Sequence, residues 1–310
     1  MSGLFEHLAD PALFATVLRV MTPLLLAALG VLISDRAGVF NIGMEGMMLV
    51  GALTGVLVSA GTGSAWLGLG AAIVLCGAVG CLMAFVINGL GANLIITGIA
   101  LNLAASSATT LGLFFATGDK GMSGSLKSGV LPSVRLPVID GIPVLGPLLS
   151  GHHILTWFAL FAVPLVSLLV MRTPFGLHMR AVGVDPKAAA AAGIPVARVQ
   201  MLALMLSGVF GGLAGAYLSM GYVSWFAQDM TAGRGFIAIA IEVMGMATPL
   251  GTLISAVIIA VAETLAITMQ SLGLPNELMQ MIPYVVPIVV LTFWASRRRR
   301  SLARIAQLSK

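Results

Sequence analysis

Residues 65–88, "AWLGLGAAIVLCGAVGCLMAFVIN", run for more than six helical turns without a charge. A hydrocarbon core takes roughly 20 apolar residues of α-helix to cross. Backbone groups in lipid must bond within their own segment, so an uninterrupted apolar run of this length predicts a transmembrane helix. Comparable runs lie on both sides of it, at 12–33, 46–60, 93–116, 153–171, 200–220, 249–270 and 279–295, with a shorter apolar piece at 236–247. Barrel strands are about ten residues long and alternate apolar with polar, a pattern these runs lack. Of 310 residues, 59% are hydrophobic and 9% charged, where a soluble domain carries about 25% charged. The runs predict an all-α polytopic membrane bundle of about 9–10 transmembrane segments, some broken or re-entrant, forming one domain over 1–310. The first run follows Glu6 and Asp10 with no basic leader or small-residue cleavage site, and reads as a retained helix rather than a signal peptide.

Charge sets the expected orientation. Of sixteen Lys and Arg, four lie in 172–198 and six in the tail 297–310. The positive-inside rule places both regions in the cytoplasm, so residues 173–198 read as a cytoplasmic loop and 296–310 as a basic cytoplasmic tail. The tail directly follows a membrane run, so it reads as a topology anchor rather than a nucleic-acid contact. An even number of crossings then separates 198 from 297. Only three long runs lie there, so the piece 236–247, with its Arg234 and Glu242, must supply a fourth as an irregular helix buried in protein. On the N-terminal side, residues 34–46 read either as a loop or as part of a broken helix. The Gly- and Pro-rich stretch 117–152 reads as an ordered extracytoplasmic loop. Glycine pairs four apart, Gly51/Gly55, Gly208/Gly212 and Gly211/Gly215, suit close helix contacts. Cys76 and Cys81 are five residues apart on one helix, point to different faces and read as packing residues, not as a disulfide or metal pair.

One segment spans nothing. In "RAVGVDPKAAAAAGIPVAR", residues 180–198, Asp185 is a good N-cap and Pro186 fits the first helical position. Lys187 and five alanines follow, then Gly193 and Pro195 stop the helix. The result is about seven helical residues, on the order of 10 Å. A helix this short is marginal alone, and its smooth surface suits docking in a groove of another protein. A plain helical connector would carry the same signals.

From here a resemblance runs along the chain. Residues 21–51 hold Ser34-Asp35-Arg36, Gly38-Val39, Asn41-Ile42-Gly43 and Glu45-Gly46. Further on come "GANLIITGIALNLAA" (91–105), "TPFGLHMRAVGVDPKAAAAAGI" (173–194), "LSGVFGGLAGAYLS" (206–219), "TAGRGFIAIAI" (231–241) and "MIPYVVPIVVLTF" in the final run. In these motifs, collinear over about 15–295, the chain resembles the permease subunits of nucleoside and simple-sugar ABC importers. The resemblance implies a type II importer-like fold in the cell (inner) membrane. It also implies a channel formed with a second, paralogous permease or a second copy, and an extracytoplasmic binding protein that delivers the solute. It makes the Ala-rich segment a coupling helix seated in an ATP-binding subunit, with Asp185, Pro186, Lys187, Ala188, Ala189, Gly193 and Ile194 as contacts. The chain has no G-x-x-x-x-G-K-[ST] loop, so ATP and Mg belong to that partner. No cofactor, metal or nucleic acid is expected on this chain, and it is expected not to be an enzyme.

Polar groups at membrane depth are costly and therefore candidates for function. Asn41, Glu45, Asn102, Glu242 and Glu263 are the candidate substrate-pathway residues. Asn41 and Glu45 align if one broken helix spans both, and otherwise cap the start of the second helix. Asn102 suits path lining and inter-helix bonding equally. Glu242 and Glu263 each need a partner, and Arg234 is the basic residue nearest Glu242 in sequence. Small apolar residues are more usual in the family at the position of Glu242. His152 and His153 have no third ligand at metal spacing, and Ser207 has no nearby base. The rival class is a self-contained ion-coupled secondary transporter or channel, kept open by Glu45, Glu242 and Glu263, though it leaves the capped Ala-rich helix without a purpose.

Overall fold

A computed structural model describes residues 11–124, 126, 128–134, 151–271 and 281–292. Its helices are α1 (Pro11–Arg36), α2 (Met44–Thr62), α3 (Ala65–Gly89), α4 (Leu94–Thr117), α5 (Ile154–Arg172), α6 (Pro174–Val184), α7 (Pro186–Ala191), α8 (Val196–Tyr217), α9 (Arg234–Met244), α10 (Pro249–Ser271) and α11 (Met281–Thr292). Among them α1–α5, α8 and α10 are seven helices long and apolar enough to cross a membrane. The shorter α9 and α11 fall where the sequence placed an irregular piece and a final run. The basic tail and half of the loop 117–152 lie outside the described residues. Among the described residues the fold is all-α but for β1 (Ser133–Val134), paired antiparallel with β2 (His152–His153).

Helices that are apolar on every side are covered by protein or by lipid, and here α1 and α8 are covered by protein. In α1, Leu24 to Leu29 and Val31 to Ile33 are fully buried, and α8 is buried from Phe210 through Tyr217. α8 is the centre of the bundle, in contact with α1, α2 and α3. Glycine makes that contact close. A Cβ on Gly208 would strike the carbonyl oxygen of Cys76 in α3, and one on Gly215 would strike that of Met48 in α2. Gly51 of α2 faces the backbone of Gly212, so the glycine spacing seen in the sequence marks true crossings. Cys76 is buried with its thiol 3.2 Å from the Met47 carbonyl, and both cysteines are free.

α3 and α4 cover this centre on one side only. Leu82, Phe85, Ile96, Leu103 and Phe115 are exposed, as residues facing lipid or a further membrane subunit must be. Helix ends follow local chemistry. α2 and α4 stop at Gly63 and Gly118, whose φ values of 71° and 76° suit glycine. The side chain of Asn93 opens α4 by accepting from the Ile95 and Ile96 amides.

β2 delivers His153 to the start of α5. Its Nδ1 accepts from the Leu155 amide at 3.2 Å, and its ring meets that of Tyr217 edge-on at 5.3 Å. Burial pulls its pKa from 6.5 down to about 4, so the folded state holds the neutral ring. His153 therefore contributes stability that is complete above pH 6.5 and is lost as pH falls toward 4. Thermal unfolding of detergent-solubilised protein should show this loss. His153→Asn, which keeps a capping acceptor, should flatten the dependence over that window. Gly208→Val should cost about 3 kcal/mol, the upper end for overpacking, because the atom in the way is backbone; a lower melting temperature and less monodisperse protein on size-exclusion chromatography would report it.

Candidate functional site

α1 ends in a tight elbow. The Val39 amide returns to the Ser34 carbonyl at 3.1 Å, the Asn41 amide donates to Ser34 Oγ at 3.2 Å, and Gly38 turns the chain at φ 72°. Asn41 thus precedes α2 instead of sharing a helix with Glu45. Its Nδ2 donates to Ser207 Oγ of α8 at 2.8 Å, and it is fully buried. Asn102 of α4 holds the other side of the elbow, donating to the Ile42 carbonyl at 2.9 Å and accepting from the Gly46 amide at 2.8 Å.

Glu45 points to the broken crossing. After the π-helical end of α8 (Leu218–Tyr222) the chain is irregular from 223 to 233, with positive φ at Asp229, Ala232 and Gly233. The Glu45 carboxylate accepts from Thr231 Oγ1 at 2.5 Å, from the Gly233 amide at 2.8 Å and from the Gly235 amide at 2.6 Å. It therefore sits on the positive, donor-rich end of α9 and satisfies amides that no intrahelical carbonyl can reach. The far end of α9 returns to α1. The Arg36 guanidinium donates to the Ala247 carbonyl, and the buried Glu242 side chain lies beside that of Asp35. The neighbour of Glu242 is therefore the end of α1. Arg234, nearest to it in sequence, pairs with Glu263 of α10 at 3.0 Å, because more than two turns of α9, about 12 Å of rise, lie between Arg234 and Glu242, farther than a salt bridge spans. Asn41, Glu45 and Asn102 are thus gathered around one elbow, while Glu242 and Glu263 lie at opposite ends of α9.

At the elbow's own face of the molecule lies α7. Asp185 accepts from the Lys187 and Ala188 amides at 2.8 and 3.1 Å, and Gly193, at φ 82°, and Ile194 close the helix on the Ala190 and Ala189 carbonyls. The helix has six residues, one fewer than the sequence predicted. Asp185, Pro186, Lys187, Ala188 and Gly193 are exposed and Ile194 half-exposed, but Ala189 is buried at 4% because it is the face on which the short helix is seated. Val184, passed over in the sequence, is 88% exposed immediately before the cap. The platform behind α7 is made by α6 and α8, and these reach the elbow: Gly183 of α6 lies against the backbone of Arg36 and Gly38, and Gln200 Nε2 of α8 reaches the Ala37 carbonyl at 3.4 Å.

A second polar cluster lies toward the opposite face. The chain folds back after Gly118, so that Ser123 and Gly121 bond to Phe226 and Gln228. Ser106, midway along α4, donates to Asp229 at 2.9 Å. Ser106, Ser107, Thr110, Phe114, Lys120 and Gln228 line an open cleft of about 480 Å³ beside it. The hydroxyl run "SSATT" at 106–110, inside an otherwise apolar stretch, was the sequence signal for this cluster. A carboxylate there facing lipid would cost about 2.5–3.5 kcal/mol or more. Among the described residues no group of three or more His, Cys, Asp or Glu is arranged to hold a metal.

Comparison with known proteins agrees with this architecture. The family described as branched-chain amino acid transport system / permease component matches residues 13–291. The chain belongs to that permease family. It is 36% identical over 90% of both chains to a putative glucose ABC transporter permease, TsgC13, of Haloferax volcanii. It is 34% identical, over 89% of both chains, to the guanosine ABC transporter permease NupQ of Bacillus subtilis, and 29% identical to a second guanosine permease of that organism, NupP, over 90% of this chain and 81% of NupP. No solved structure matches it. The permease is accordingly the membrane component of an ABC-type importer in the inner membrane, a transport subunit that works with a separate ATPase and a substrate-binding protein. A self-contained ion-coupled transporter is set aside by this membership.

Glu45→Ala in this permease would strand two amides and a hydroxyl, each costing about 1–3 kcal/mol when buried without a partner. A loss of roughly 3 kcal/mol in denaturant unfolding is expected, with Glu45→Gln milder because its carbonyl still accepts. Arg234→Met or Glu263→Met alone should each destabilise more than the two together, since a single change leaves a charge without its partner; a double-mutant cycle on the same unfolding measurement checks this.

Proposed function

We propose that this permease conducts nucleosides or simple sugars, paired with a second, related permease, and that α7 is the lever on which the ATPase acts. The observation that carries the lever is the seating of α7. Its capped, exposed face stands free while its buried side rests on α6 and α8, which meet the elbow between α1 and α2 through Gly183 and Gln200. Force applied to α7 would pass to Arg36 and Ala37, from Arg36 to the C-terminal end of α9 through Ala247, and from Glu45 to its N-terminal end. A rigid path from a cytoplasmic contact to a broken helix is what an ATP-driven gate needs.

The outward-facing contacts are Asp185, Pro186, Lys187, Ala188, Gly193 and Ile194, with Val184 as an apolar anchor. Ala189 supports them from behind. In this orientation the face with α7 and the basic tail is cytoplasmic, and the 117–152 side meets the binding protein. The cargo follows from the relatives named for glucose and guanosine. The pairing follows from the two guanosine permeases of Bacillus subtilis, both similar to this chain.

Val184→Asp tests the lever. The side chain is 88% exposed, so the bundle should fold and reach the membrane normally. Docking, read as ATPase co-purified with the permease, and ATP-dependent uptake of radiolabelled guanosine or glucose should each fall about tenfold or more, as expected for loss of an interface anchor. Uptake at the wild-type rate would exclude α7 as the docking element. Ala189→Asp would instead bury a carboxylate, so it reports folding rather than coupling.

A further inference from the structure

We infer that Asp229, which the irregular strap 223–233 holds on Ser106 at the border of the cleft along α4, is a hydroxyl-binding site of the transport path that takes the vicinal diol of the cargo. The inference rests on the nucleoside-or-sugar reading above and adds the residues that would hold such a solute.

Three observations converge on it. The first is depth. Asp229 is bonded to Ser106, twelve residues after the start of α4 and eleven before its end, so it sits near the midpoint of a membrane-crossing helix. The second is its open valence. Asp229 is exposed, the Ser106 hydroxyl is the one side-chain donor it has among the described residues, and the one ion pair among them is Arg234–Glu263. An ionised carboxylate accepts through two oxygens with about four lone-pair directions, so most of its capacity is unspent. The third is the company it keeps. Ser107 and Thr110 present hydroxyls, Gln228 an amide and Phe114 a ring face, with the Lys120 ammonium 5.4 Å above that ring.

The strap also separates two different environments. On its other side a pocket of about 390 Å³ is lined by Arg19, Pro23, Trp225, Met230, Arg234 and Ile267, where Arg234 is already engaged by Glu263. Only the α4 side combines an open anion with hydroxyls and an aromatic face. Adjacent hydroxyls of a ribose or hexose ring can both donate to one carboxylate, while the flat base or the apolar face of the sugar lies on Phe114. Positive φ at Asp229 and Ala232, 52° and 46°, is the backbone shape that brings this carboxylate back toward α4.

The site is tested in the complete importer, with its ATPase and binding protein unchanged, in membrane vesicles. Asp229→Asn keeps the size and removes the anion. It should lower ATP-dependent uptake of radiolabelled guanosine or glucose, whichever the wild type moves, about tenfold or more, with ATP hydrolysis by the assembled complex held within about twofold. Ser107→Cys, made in a Cys81→Ser chain, should react with a charged, water-soluble methanethiosulfonate, and Phe115→Cys, which lies outside the cleft, should not. Uptake by Asp229→Asn at the wild-type rate, or an inert Ser107→Cys, overturns the site while leaving the importer reading in place. Wild-type uptake of neither solute overturns the substrate class, and the diol site falls with it.

Discussion

A carboxylate closes the one gap that the bundle cannot close with backbone alone. The crossing between α8 and α10 is broken, and the amides at the start of α9 have no carbonyl one turn below them. Water would satisfy them at a surface, but within a membrane protein the partner must come from another element. Glu45 supplies it, and it can do so only because the elbow after α1 turns the start of α2 toward Gly233 and Gly235. The elbow is held in turn by Asn41 on α8 and Asn102 on α4. A few polar side chains therefore make a discontinuous helix tolerable inside an apolar fold.

The same residues join the two ends of the molecule. α7 reaches the elbow through α6 and α8, and α9 is attached to the elbow at both ends, through Glu45 at one and through Arg36 and the Asp35–Glu242 contact at the other. α8 is the fixed frame for this linkage, because its glycines let it approach α2 and α3 so closely that sliding would meet backbone. In the proposed lever, the frame that cannot slide is what stays and the half-helix hung from two polar contacts is what moves. The strap that leads into α9 carries Asp229 beside α4, so movement of α9 would be felt where a polar solute could bind.

Much of this was legible in the chain itself. Long uncharged runs have one stable answer in lipid, so the helices and the membrane class follow from residues 65–88 and their counterparts. Capping is equally local. Asp185, Pro186 and Gly193 specify α7 within one residue of its length because each acts on amides or dihedral angles a few positions away. The deficit of one crossing between 198 and 297 called for an irregular segment at 236–247, and the short helix α9, preceded by its irregular strap, lies there.

Partnership was not legible. Glu45 meets Thr231 across 186 positions, Arg234 takes Glu263 and leaves Glu242 to Asp35, and Ala189 turns inward while Val184 stands exposed. Each of these depends on which helix faces come together, and an apolar run is nearly the same on every face. The sequence by itself determined the helices, their caps and the membrane. Only the tertiary structure decided which polar groups satisfy one another, because in a bundle of similar apolar helices that choice is made by close packing at glycine faces and by the few donors and acceptors that must not be left alone.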